Sequence, residues 1–339
     1  MIKYPSTEQL RNIVRHVKTH HDYKGKDENG DPIYRHDSPY PTLEFTGTVK
    51  IHGTNASIVG YKDGRIVYQS RENVLSLTQD NAGFFLYMKS IEDKVKDLLD
   101  YPEMKDHIAV YGEWCGGNIQ RGVAVTGLPK MFVIFALKID GEFYNFIETP
   151  ETKKIWAEKW NPLNIWHINQ FKTYKISIDF NYPELVQNKL IEMTEEVEHQ
   201  CPVGFHFGNE GIGEGIVWKC DTDPGLFFKV KGEKHSVSKV TKLASVDVPL
   251  LESMREFVEL AVQEGRLLQG IDKVVEMGKD LTEKSTGDFL RWVITDVMKE
   301  EEDTIVKNGW DPKKLNPIIS KFAREWYFEY IKNTIYEKA

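Results

Sequence analysis

Residues 50–55 read Lys-Ile-His-Gly-Thr-Asn, and the interpretation of the whole chain starts from this stretch. Its neighbours alternate between polar and apolar residues, which is typical of β-strands. The stretch places a lysine amine close to a glycine, which lets the backbone approach a ligand closely. A lysine is a nucleophile only when its neutral form is populated, and burial or nearby positive charge favours that form by lowering the pKa. Lys50 is therefore a candidate nucleophile.

Three more polar clusters follow this stretch. Glu113 lies at the end of a predicted strand, just before the Gly116-Gly117 turn. Residues 214–219 alternate polar and apolar, so that Glu214 and the residues two and four positions later share one face of a strand. Lys229 and Lys231 lie on one face of the predicted partner strand. Two lysines in that position could bind a phosphate.

The composition is that of an ordinary globular protein of 339 residues with a net charge of −8. It contains no apolar run long enough to span a bilayer, and its first residues do not resemble a signal peptide. The histidines His20, His21 and His235 and the cysteines Cys115, Cys201 and Cys220 show no metal-ligand spacing. These features predict a cytoplasmic protein without structural zinc.

One segment is basic although the chain as a whole is acidic. Residues 219–242 hold three acids and six lysines, at positions 219, 229, 231, 234, 239 and 242, so that the segment has a net charge of +3. Such local clustering is typical of a surface that faces phosphates.

Turn signals and periodicity predict mostly β-structure before residue 248. A capping box at Ser6–Gln9 predicts a helix over 7–18, and residues 23–42 are interpreted as a loop. The remaining elements are hairpins at 56–70, 131–147 and 215–230, a strand at 107–114, and helices near 151–160 and 183–200.

After residue 248 the periodicity is helical. Helices are predicted at 250–268, at 288–307 with Gly309 as its cap, and from Asn316-Pro317 onward. The change of pattern predicts a domain boundary near 235–248, with an α/β unit at 1–240 and a helical unit at 241–339. The predicted fold class is α+β.

Taken together, these motifs resemble the covalent nucleotidyltransferases, the superfamily of ATP-dependent ligases and mRNA-capping enzymes. The resemblance is closest to the bacteriophage RNA ligase 2 type, related to the kinetoplastid RNA-editing ligases. Lys50–Asn55 reads the same as the nucleophile motif of that group. The other matching positions are Arg71, Phe84-Phe85, Glu113, Glu214–Lys219, Lys229–Lys231, Gly287–Phe289 and Ala323–Trp326. Two positions depart from the pattern: Phe135 lacks the acid that usually follows it, and residue 49 is Val where the nearest relatives have an acid.

The resemblance implies an ATP-grasp-like nucleotidyltransferase domain of antiparallel sheets with flanking helices, followed by an all-α domain. It also implies a reaction in three steps. Lys50 attacks the α-phosphate of ATP and releases pyrophosphate. The adenylate then passes from the lysine to a 5′-phosphate, and a 3′-hydroxyl attacks that end and expels AMP.

The resemblance further implies a role for each matching residue. The expected catalytic residues are Lys50, His52, Lys229 and Lys231. The expected nucleotide contacts are Ile51, Asn55, Arg71, Glu113, Phe135, Glu214, Lys219, Lys229 and Lys231. Glu214 is also the expected ligand of Mg²⁺ or Mn²⁺, and Thr54, Phe84 and Phe85 are expected at the nick. Lys229 and Lys231 are expected to help lower the pKa of Lys50.

The expected function is an ATP-dependent RNA ligase that seals 3′-OH/5′-phosphate nicks in duplex RNA or RNA-containing hybrids. It is expected to be a monomer in the cytoplasm, that of the host if a phage encodes it. A DNA ligase and a capping guanylyltransferase stay open, although both usually carry a β-rich OB domain where this chain is helical. A third alternative is an inactive RNA-binding homologue, against which the intact Lys50, Glu113, Glu214, Lys229 and Lys231 count.

Overall fold

Antiparallel strands dominate the first part of the chain and helices the second. The computed structural model describes residues 1–144, 149–232 and 250–336. The chain divides into two compact units, Met1–Glu233 and Lys234–Ala339. The predictions that fall on Lys234, His235, Lys239, Lys242, the boundary at 235–248 and the end of the second hairpin lie outside the described residues.

The elements of the first unit follow each other as strands with short helices between them. Its strands are β1 (Tyr23–Lys26), β2 (Pro32–Tyr34), β3 (Thr42–Lys50), β4 (Thr54–Tyr61), β5 (Ile66–Ser70), β6 (His107–Cys115), β7 (Met131–Ile139), β8 (Glu142–Tyr144), β9 (Ile165–His167), β10 (Thr173–Asp179), β11 (Gly215–Cys220) and β12 (Phe227–Lys231). Its α-helices are α1 (Leu10–Asp22), α2 (Phe84–Ser90), α3 (Glu92–Leu98), α4 (Pro150–Ile155), α5 (Gln187–His199) and α6 (Pro202–His206).

The strands form two larger sheets and one hairpin. One sheet has the strand order β10-β3-β11-β12 and the other β5-β4-β6-β7-β8, with β9 pairing in parallel with β7. The strands β3 and β4 are consecutive in the chain but lie in different sheets. Residues 51–53 therefore cross from one sheet to the other, which fixes the position of the Lys50–Asn55 stretch between them.

Each sheet buries the apolar side chains of its alternating pattern. Phe45, Trp218 and Phe228 are fully buried in the core of the four-stranded sheet. Ile58 and Phe132 are fully buried in the core of the other sheet. Burying one such side chain stabilises the fold by about 1.5–3 kcal/mol, so these apolar faces contribute much of the stability of each sheet.

The predicted α+β class is confirmed, because antiparallel sheets with flanking helices precede a helical region. The first helix, however, starts later than predicted. No side chain caps α1, which begins after Gln9. The predicted capping box is wrong because residue Glu8 pairs with Phe228 of β12, where its carbonyl oxygen accepts the Lys229 N–H at 2.9 Å.

The loop predicted at 23–42 is partly a hairpin of β1 and β2. Gly30 has a φ of +86°, which the turn between the two strands requires. The Asp27 carboxylate accepts the backbone N–H groups of Asn29 and Asp31, which stabilises the turn. The turn conformation of Gly30 and the hydrogen bonds of the Asp27 side chain therefore stabilise a hairpin that composition alone does not indicate.

The second unit consists of helices around one apolar core. They are α7 (Leu250–Ala261), α8 (Glu264–Glu276), α9 (Thr286–Glu300), α10 (Glu302–Lys307) and α11 (Pro312–Tyr336). Phe257, Phe289 and Tyr327 are fully buried between them. Across the described parts of both units, no helix has the length and apolar character that crossing a bilayer requires.

Two of the predicted C-terminal helices are interrupted. The predicted helix 250–268 breaks before α8, where Gln263 is extended and the Arg266 guanidinium donates to the Ala261 carbonyl oxygen that ends α7. The predicted helix 288–307 breaks at Glu301, between α9 and α10. Gly309, at φ +65°, follows the end of α10 as expected.

The last helix begins earlier than Asn316-Pro317. The side chain of Asp311 accepts the N–H of Lys313 at 2.9 Å and caps the start of α11. Pro317 lies inside the helix, close to its beginning. The prediction was wrong because Pro317 and Asp311, a capping residue six positions earlier, are both typical of a helix start, and the helix begins at the aspartate.

An ion network centred on the buried Arg266 joins α8 to α9 and to the break between α9 and α10. Arg266 has no exposed surface, and it donates to Asp296 at 2.8 Å and to Glu301 at 3.2 Å. We expect Arg266→Leu to lower the free energy of unfolding by about 3–5 kcal/mol, because the buried Glu301 and the partly buried Asp296 lose their partner. Chemical denaturation of the full chain measures this.

The matched control is Arg291→Leu, because Arg291 pairs with Asp288 at 3.4 Å but is 78% exposed. An exposed pair of this kind contributes little to stability. Equal losses for the two variants would contradict a structural role for the buried network.

Candidate active site

The strand register brings three of the sequence motifs into one row. Lys50 at the end of β3 is opposite Gly215 at the start of β11. Gly215 is in turn opposite Lys231 at the end of β12. Glu214 directly precedes this row. Residues more than 160 positions apart in the chain therefore meet where three neighbouring strands of the four-stranded sheet begin or end.

The Glu214 carboxylate is the centre of the cluster and is only 2% exposed. Its Oε2 accepts the Lys50 Nζ at 2.7 Å and lies 3.2 Å from the His52 Nδ1. Its Oε1 lies 3.0 Å from the Lys231 Nζ. Lys50 and His52 keep about a fifth of their side-chain surface exposed, so the cluster opens to solvent on their side.

The charges of the cluster determine the protonation of Glu214. Burial by itself would raise the pKa of this carboxyl group, but Lys50, then Lys231 and His52, hold it well below its usual range. Glu214 is therefore ionised in the folded chain. A buried carboxylate of this kind is stable only because it is paired on both oxygens.

The pKa of Lys50 differs from the expectation. Burial lowers it and Arg71 lowers it further, but the charges of Glu214 and Glu113 together outweigh them, so the pKa is raised. The expected lowering of this pKa is wrong for the free site, because the charge of Glu214, whose Oε2 lies 2.7 Å from the Lys50 Nζ, has the opposite effect. Without a ligand Lys50 is held as a charged ammonium group.

In contrast to Lys50, the lysines Lys231 and Lys219 have lowered pKa values. Burial lowers the pKa of Lys231 to about 8, and the charges of Lys50 and Lys229 contribute to the lowering. Burial also lowers the pKa of Lys219 to about 8. Both lysines are still largely charged at neutral pH, and they are well suited to hold an anion.

The glycine of the nucleophile stretch is required by the protein itself rather than by a ligand. A Cβ at Gly53 would lie 2.5 Å from the Trp114 carbonyl oxygen and 2.8 Å from the Cys115 Cβ. This close contact with β6 lets the Gly53 N–H donate to Glu113 Oε1 at 3.2 Å. The crossing between the sheets is thereby tied to the carboxylate of the second motif.

Glu113 and Arg71 flank the nucleophile. Glu113 is opposite Asn55 in the pairing of β4 with β6. Arg71 follows β5, donates to the Ser6 hydroxyl at 3.2 Å, and is close enough to lower the pKa of Lys50. The structure thus brings both residues to the Lys50 side of the site, although their strands belong to the other sheet.

Phe135 and Lys219 meet each other rather than Lys50. The pairing of β6 with β7 shifts at Phe135, which is the extra residue of a β-bulge. Its carbonyl oxygen accepts the Lys219 Nζ at 3.0 Å. This contact links β7 of one sheet to β11 of the other.

The residues expected at a nick occupy different positions. Thr54 is buried and its hydroxyl donates to Asn81, whose amide in turn donates to the Asn55 carbonyl oxygen. Phe84 has no exposed surface and packs on Trp114 and Phe132, so it is a core residue and cannot contact a substrate directly. Phe85 is half-buried against Tyr68, and Ile51 is buried below the crossing.

Two polar residues near the site were not singled out in the sequence. Asn81 holds Thr54 and Asn55, as described above. Gln120 donates its side-chain N–H to the Gly53 carbonyl oxygen at 3.3 Å. It belongs to the glycine-rich segment that follows Glu113, and that position in the chain was the available signal.

A divalent cation fits the donor chemistry of the site. Glu214 offers carboxylate oxygens, which Mg²⁺ and Mn²⁺ prefer. Because both oxygens already contact lysines, a cation would take over one of them and complete its shell with water and substrate phosphates. Magnesium is commonly bound in this way, through one or two carboxylates.

The model of the RNA ligase family matches residues 43–241, which is more than half of the chain and includes every residue of the cluster. The chain belongs to the RNA ligase family. Comparison with curated proteins gives no match. The row formed by Lys50, Gly215 and Lys231 lies inside the part of the chain that matches the family.

Solved structures of an RNA ligase from Naegleria gruberi are similar to this chain at low identity. Two mutants with ATP and manganese are 14% and 16% identical, with TM-scores of 0.43 and 0.45. The enzyme with pyrophosphate is 16% identical, with a TM-score of 0.43. Each match covers 69% of this chain but only 57% of the solved chain, a little more than half of its length.

Replacement of Gly53 tests the tight crossing between the sheets. We expect Gly53→Ala to lower the free energy of unfolding by about 1–3 kcal/mol, because its Cβ would overlap backbone and side-chain atoms of β6. The control is Gly287→Ala in α9, where a Cβ meets nothing within 4 Å. Urea unfolding of both variants measures the difference, and an unchanged Gly53→Ala midpoint would contradict the crossing described here.

The buried His167 is expected to make the stability of the first unit depend on pH. Burial, with a contribution from Lys219, lowers the pKa of His167 from 6.5 to about 3. Below pH 6.5 the unfolded chain binds a proton at this histidine that the folded chain does not. The free energy of unfolding therefore decreases as the pH is lowered, by up to about 1.4 kcal/mol per pH unit. We expect His167→Asn, which keeps an acceptor for the Asn169 N–H, to reduce this loss between pH 6.5 and 4.

Urea unfolding at several pH values gives the two slopes for wild type and His167→Asn. The exposed His199, whose ring is not in the core, provides the control His199→Asn. Parallel stability curves for wild type and His167→Asn would contradict the assignment of this acid sensitivity to His167.

Proposed function

We propose that this chain is an ATP-dependent RNA ligase that joins a 3′-hydroxyl to a 5′-phosphate through a lysyl-adenylate on Lys50. The observation that supports it best is the convergence of Lys50, His52, Glu214 and Lys231 within hydrogen-bonding distance, inside the segment that the family model matches. A lysine at a solvent-open edge, surrounded by groups that bind phosphate, has the position that a nucleotidyl-transfer nucleophile needs.

The proposed reaction begins with loss of the Lys50 proton. The neutral Nζ attacks the α-phosphorus of ATP, an N–P bond forms, and the bond to the β,γ-pyrophosphate breaks. An oxygen of a polynucleotide 5′-phosphate then displaces the lysine, which leaves an adenylated 5′ end. A 3′-hydroxyl attacks that 5′-phosphate, forms the phosphodiester and releases AMP.

Lys229 and Lys231 are proposed to bind the α-phosphate. Lys231 lies 3.0 Å from Glu214 and opposite Gly215, so it is next to Lys50 in the row of strands. Charge builds on the phosphate during attack, and preorganised cations stabilise it. A divalent metal on Glu214, when bound, would neutralise phosphate charge and draw Glu214 away from the lysine. His52, 3.2 Å from Glu214, is proposed to orient the departing pyrophosphate.

The nucleoside is proposed to bind between the two sheets. Glu113 and Arg71 would hold the ribose, because both flank the crossing that carries Lys50. Phe135 would stack on the base from its bulge, with Lys219 along the nucleotide. Ile51 and Asn55 are proposed as further contacts from the crossing itself.

The RNA end is proposed to bind near Thr54, Asn55 and Phe85. We keep Phe85 for this role and assign Phe84 to the core that supports it, since Phe84 is fully buried. The chain is proposed to consist of a transferase domain, 1–240, and a helical domain, 241–339. The helical domain is proposed to determine which substrate binds. The chemistry and motif order support a closer kinship with the phage RNA ligase 2 type and the kinetoplastid editing ligases.

Duplex or splinted RNA is the proposed substrate of a monomeric enzyme. The lysines of the basic segment that the structure describes, Lys219, Lys229 and Lys231, all lie on β11 and β12. Lys231 contacts Glu214, whereas Lys219 contacts the Phe135 carbonyl oxygen, so the basic segment is proposed to bind the nucleotide and a single RNA end that a second strand holds in place. The buried, free cysteines support a reducing compartment such as the cytoplasm.

Intact mass after incubation with ATP or GTP and Mg²⁺ or Mn²⁺ tests the nucleophile, after pyrophosphate treatment to remove any adenylate already present. We expect an AMP adduct with ATP on wild type and none on Lys50→Ala. The control Lys172→Ala changes an exposed lysine of the same unit and should keep the adduct. Circular dichroism shows that the variants fold.

A sealing assay then distinguishes the alternatives. We expect joining of a nicked RNA duplex, and of RNA ends on a DNA splint, with little joining of an all-DNA nick. A GMP adduct would instead indicate a capping enzyme, and sealing of DNA alone a DNA ligase. No adduct with either nucleotide on folded protein would overturn the proposal and favour an inactive RNA-binding homologue.

A further inference from the structure

We propose that His21, Asp22 and His36 form a binding site for Zn²⁺ that fastens the N-terminal hairpin to the end of α1. This cluster lies before residue 43, outside the part that matches the family, and it does not rest on the proposed ligase activity. The sequence spacing of His20 and His21 showed no metal site. The fold changes this, because the β1–β2 hairpin returns His36 to the end of the helix.

The backbone positions the three side chains before any ion is bound. His21 and Asp22 are the last two residues of α1. The N–H of Arg35 donates to the Asp22 carbonyl oxygen at 2.8 Å, which fixes the chain just beyond β2 against the helix end. His36 follows directly. The site thus combines two neighbouring residues with one that lies 14 positions later, and it would close the hairpin as a loop.

The donor atoms are already spaced like the ligands of a tetrahedral ion. The Nδ1 atoms of His21 and His36 lie 3.1 and 3.2 Å from Asp22 Oδ1, and one ligand atom from each of the three residues lies within 4.8 Å of the others. Zinc bonds of 2.0–2.2 Å at tetrahedral angles separate two ligand atoms by about 3.3 Å. A bound ion would hold the two imidazole nitrogens, which are also within this 4.8 Å limit, at about 3.3 Å from each other.

Two of the remaining polar atoms, the His21 Nε2 and the Asp22 Oδ2, have outer partners that would orient the ligands. The His21 Nε2 lies 3.2 Å from the Ser38 hydroxyl, and the Asp22 Oδ2 accepts the Tyr40 hydroxyl at 2.9 Å. The His36 ring stacks on Tyr40 with the ring centroids 4.3 Å apart. Metal-binding histidines and carboxylates usually have such outer hydrogen bonds, which fix the tautomer and the ring orientation.

The donor set selects the kind of ion. Two imidazoles with one carboxylate suit zinc and its transition-metal neighbours, whereas Mg²⁺ prefers oxygen ligands throughout. The side chains of His21 and Asp22 are about a fifth exposed and that of His36 is half exposed, so an ion can enter from solvent. Water would complete the fourth position of the tetrahedron.

Calorimetric titration of the untagged, EDTA-stripped full chain with Zn²⁺, in the presence of Mg²⁺, tests the site. We expect one zinc per chain with micromolar or tighter affinity, and the visible absorption of tetrahedral cobalt when Co²⁺ replaces zinc. His36→Asn should remove the tight site, and Tyr40→Phe should weaken it by about tenfold. Unfolding in EDTA shows whether each variant keeps its fold.

Two controls separate this site from its neighbours. His20→Asn changes a histidine of α1 that stacks with His16 and is not among the proposed ligands, so it should leave zinc binding unchanged. Glu214→Gln should also leave it unchanged, because the active-site carboxylate is not involved. Loss of binding in either control, equal effects of His20→Asn and His36→Asn, or absence of micromolar binding in wild type would overturn the proposal.

A direct readout keeps the test decisive if His36→Asn does not fold. In wild type, zinc on the Nδ1 atoms of His21 and His36 should shift their ¹⁵N resonances and leave the other ring nitrogen of each residue protonated. Zinc-induced shifts at His16 and His20 instead would place the ion on the helix surface and overturn the proposal.

Discussion

The buried Glu214 carboxylate is the interaction on which the rest of the site depends. It brings Lys50, His52 and Lys231 together although the charges of the two lysines repel one another. An anion that is 2% exposed is stable only while both oxygens stay paired, and each cation is held in place by the same anion. The strand order β3-β11-β12 provides this pairing as well as apolar burial. It places the end of β3 with Lys50, the start of β11 after Glu214, and the end of β12 with Lys231 in one row.

The same carboxylate explains why the free site differs from a site ready for reaction. A nucleophile needs a neutral amine, yet the pKa of Lys50 is raised because Glu214 and Glu113 outweigh burial. In the proposed reaction, a divalent cation bound with the nucleotide would change this balance, since it would compete with Lys50 for the Glu214 carboxylate. In the proposed reaction, the charge arrangement would therefore keep Lys50 protonated until the nucleotide binds.

The N-terminal segment connects the two sheets around this site. Ile2 bonds to Gln69 and Ser6 to Arg71 on the side of the β5 strand, whereas Glu8 pairs with Phe228 of β12. Tyr4 lies between them, against Phe135 and three other aromatic rings. Residues outside the recognisable motifs thus support the positions of Arg71 and Phe135. The hairpin that follows α1 adds a second feature of this chain that the family pattern does not include.

The sequence by itself determined the α+β class, the order of the motifs and most hairpins, because alternation and turn residues act over short distances. It also identified nearly all residues of the cluster, since the spacing of Lys50–Asn55 and Glu214–Lys219 is specific. Only the tertiary structure decided the raised pKa of Lys50, the burial of Phe84 and the breaks in the C-terminal helices. It alone brought His36 to His21. Each of these depends on distances between residues far apart in the chain, and charge, burial and metal geometry are set by such distances rather than by local pattern.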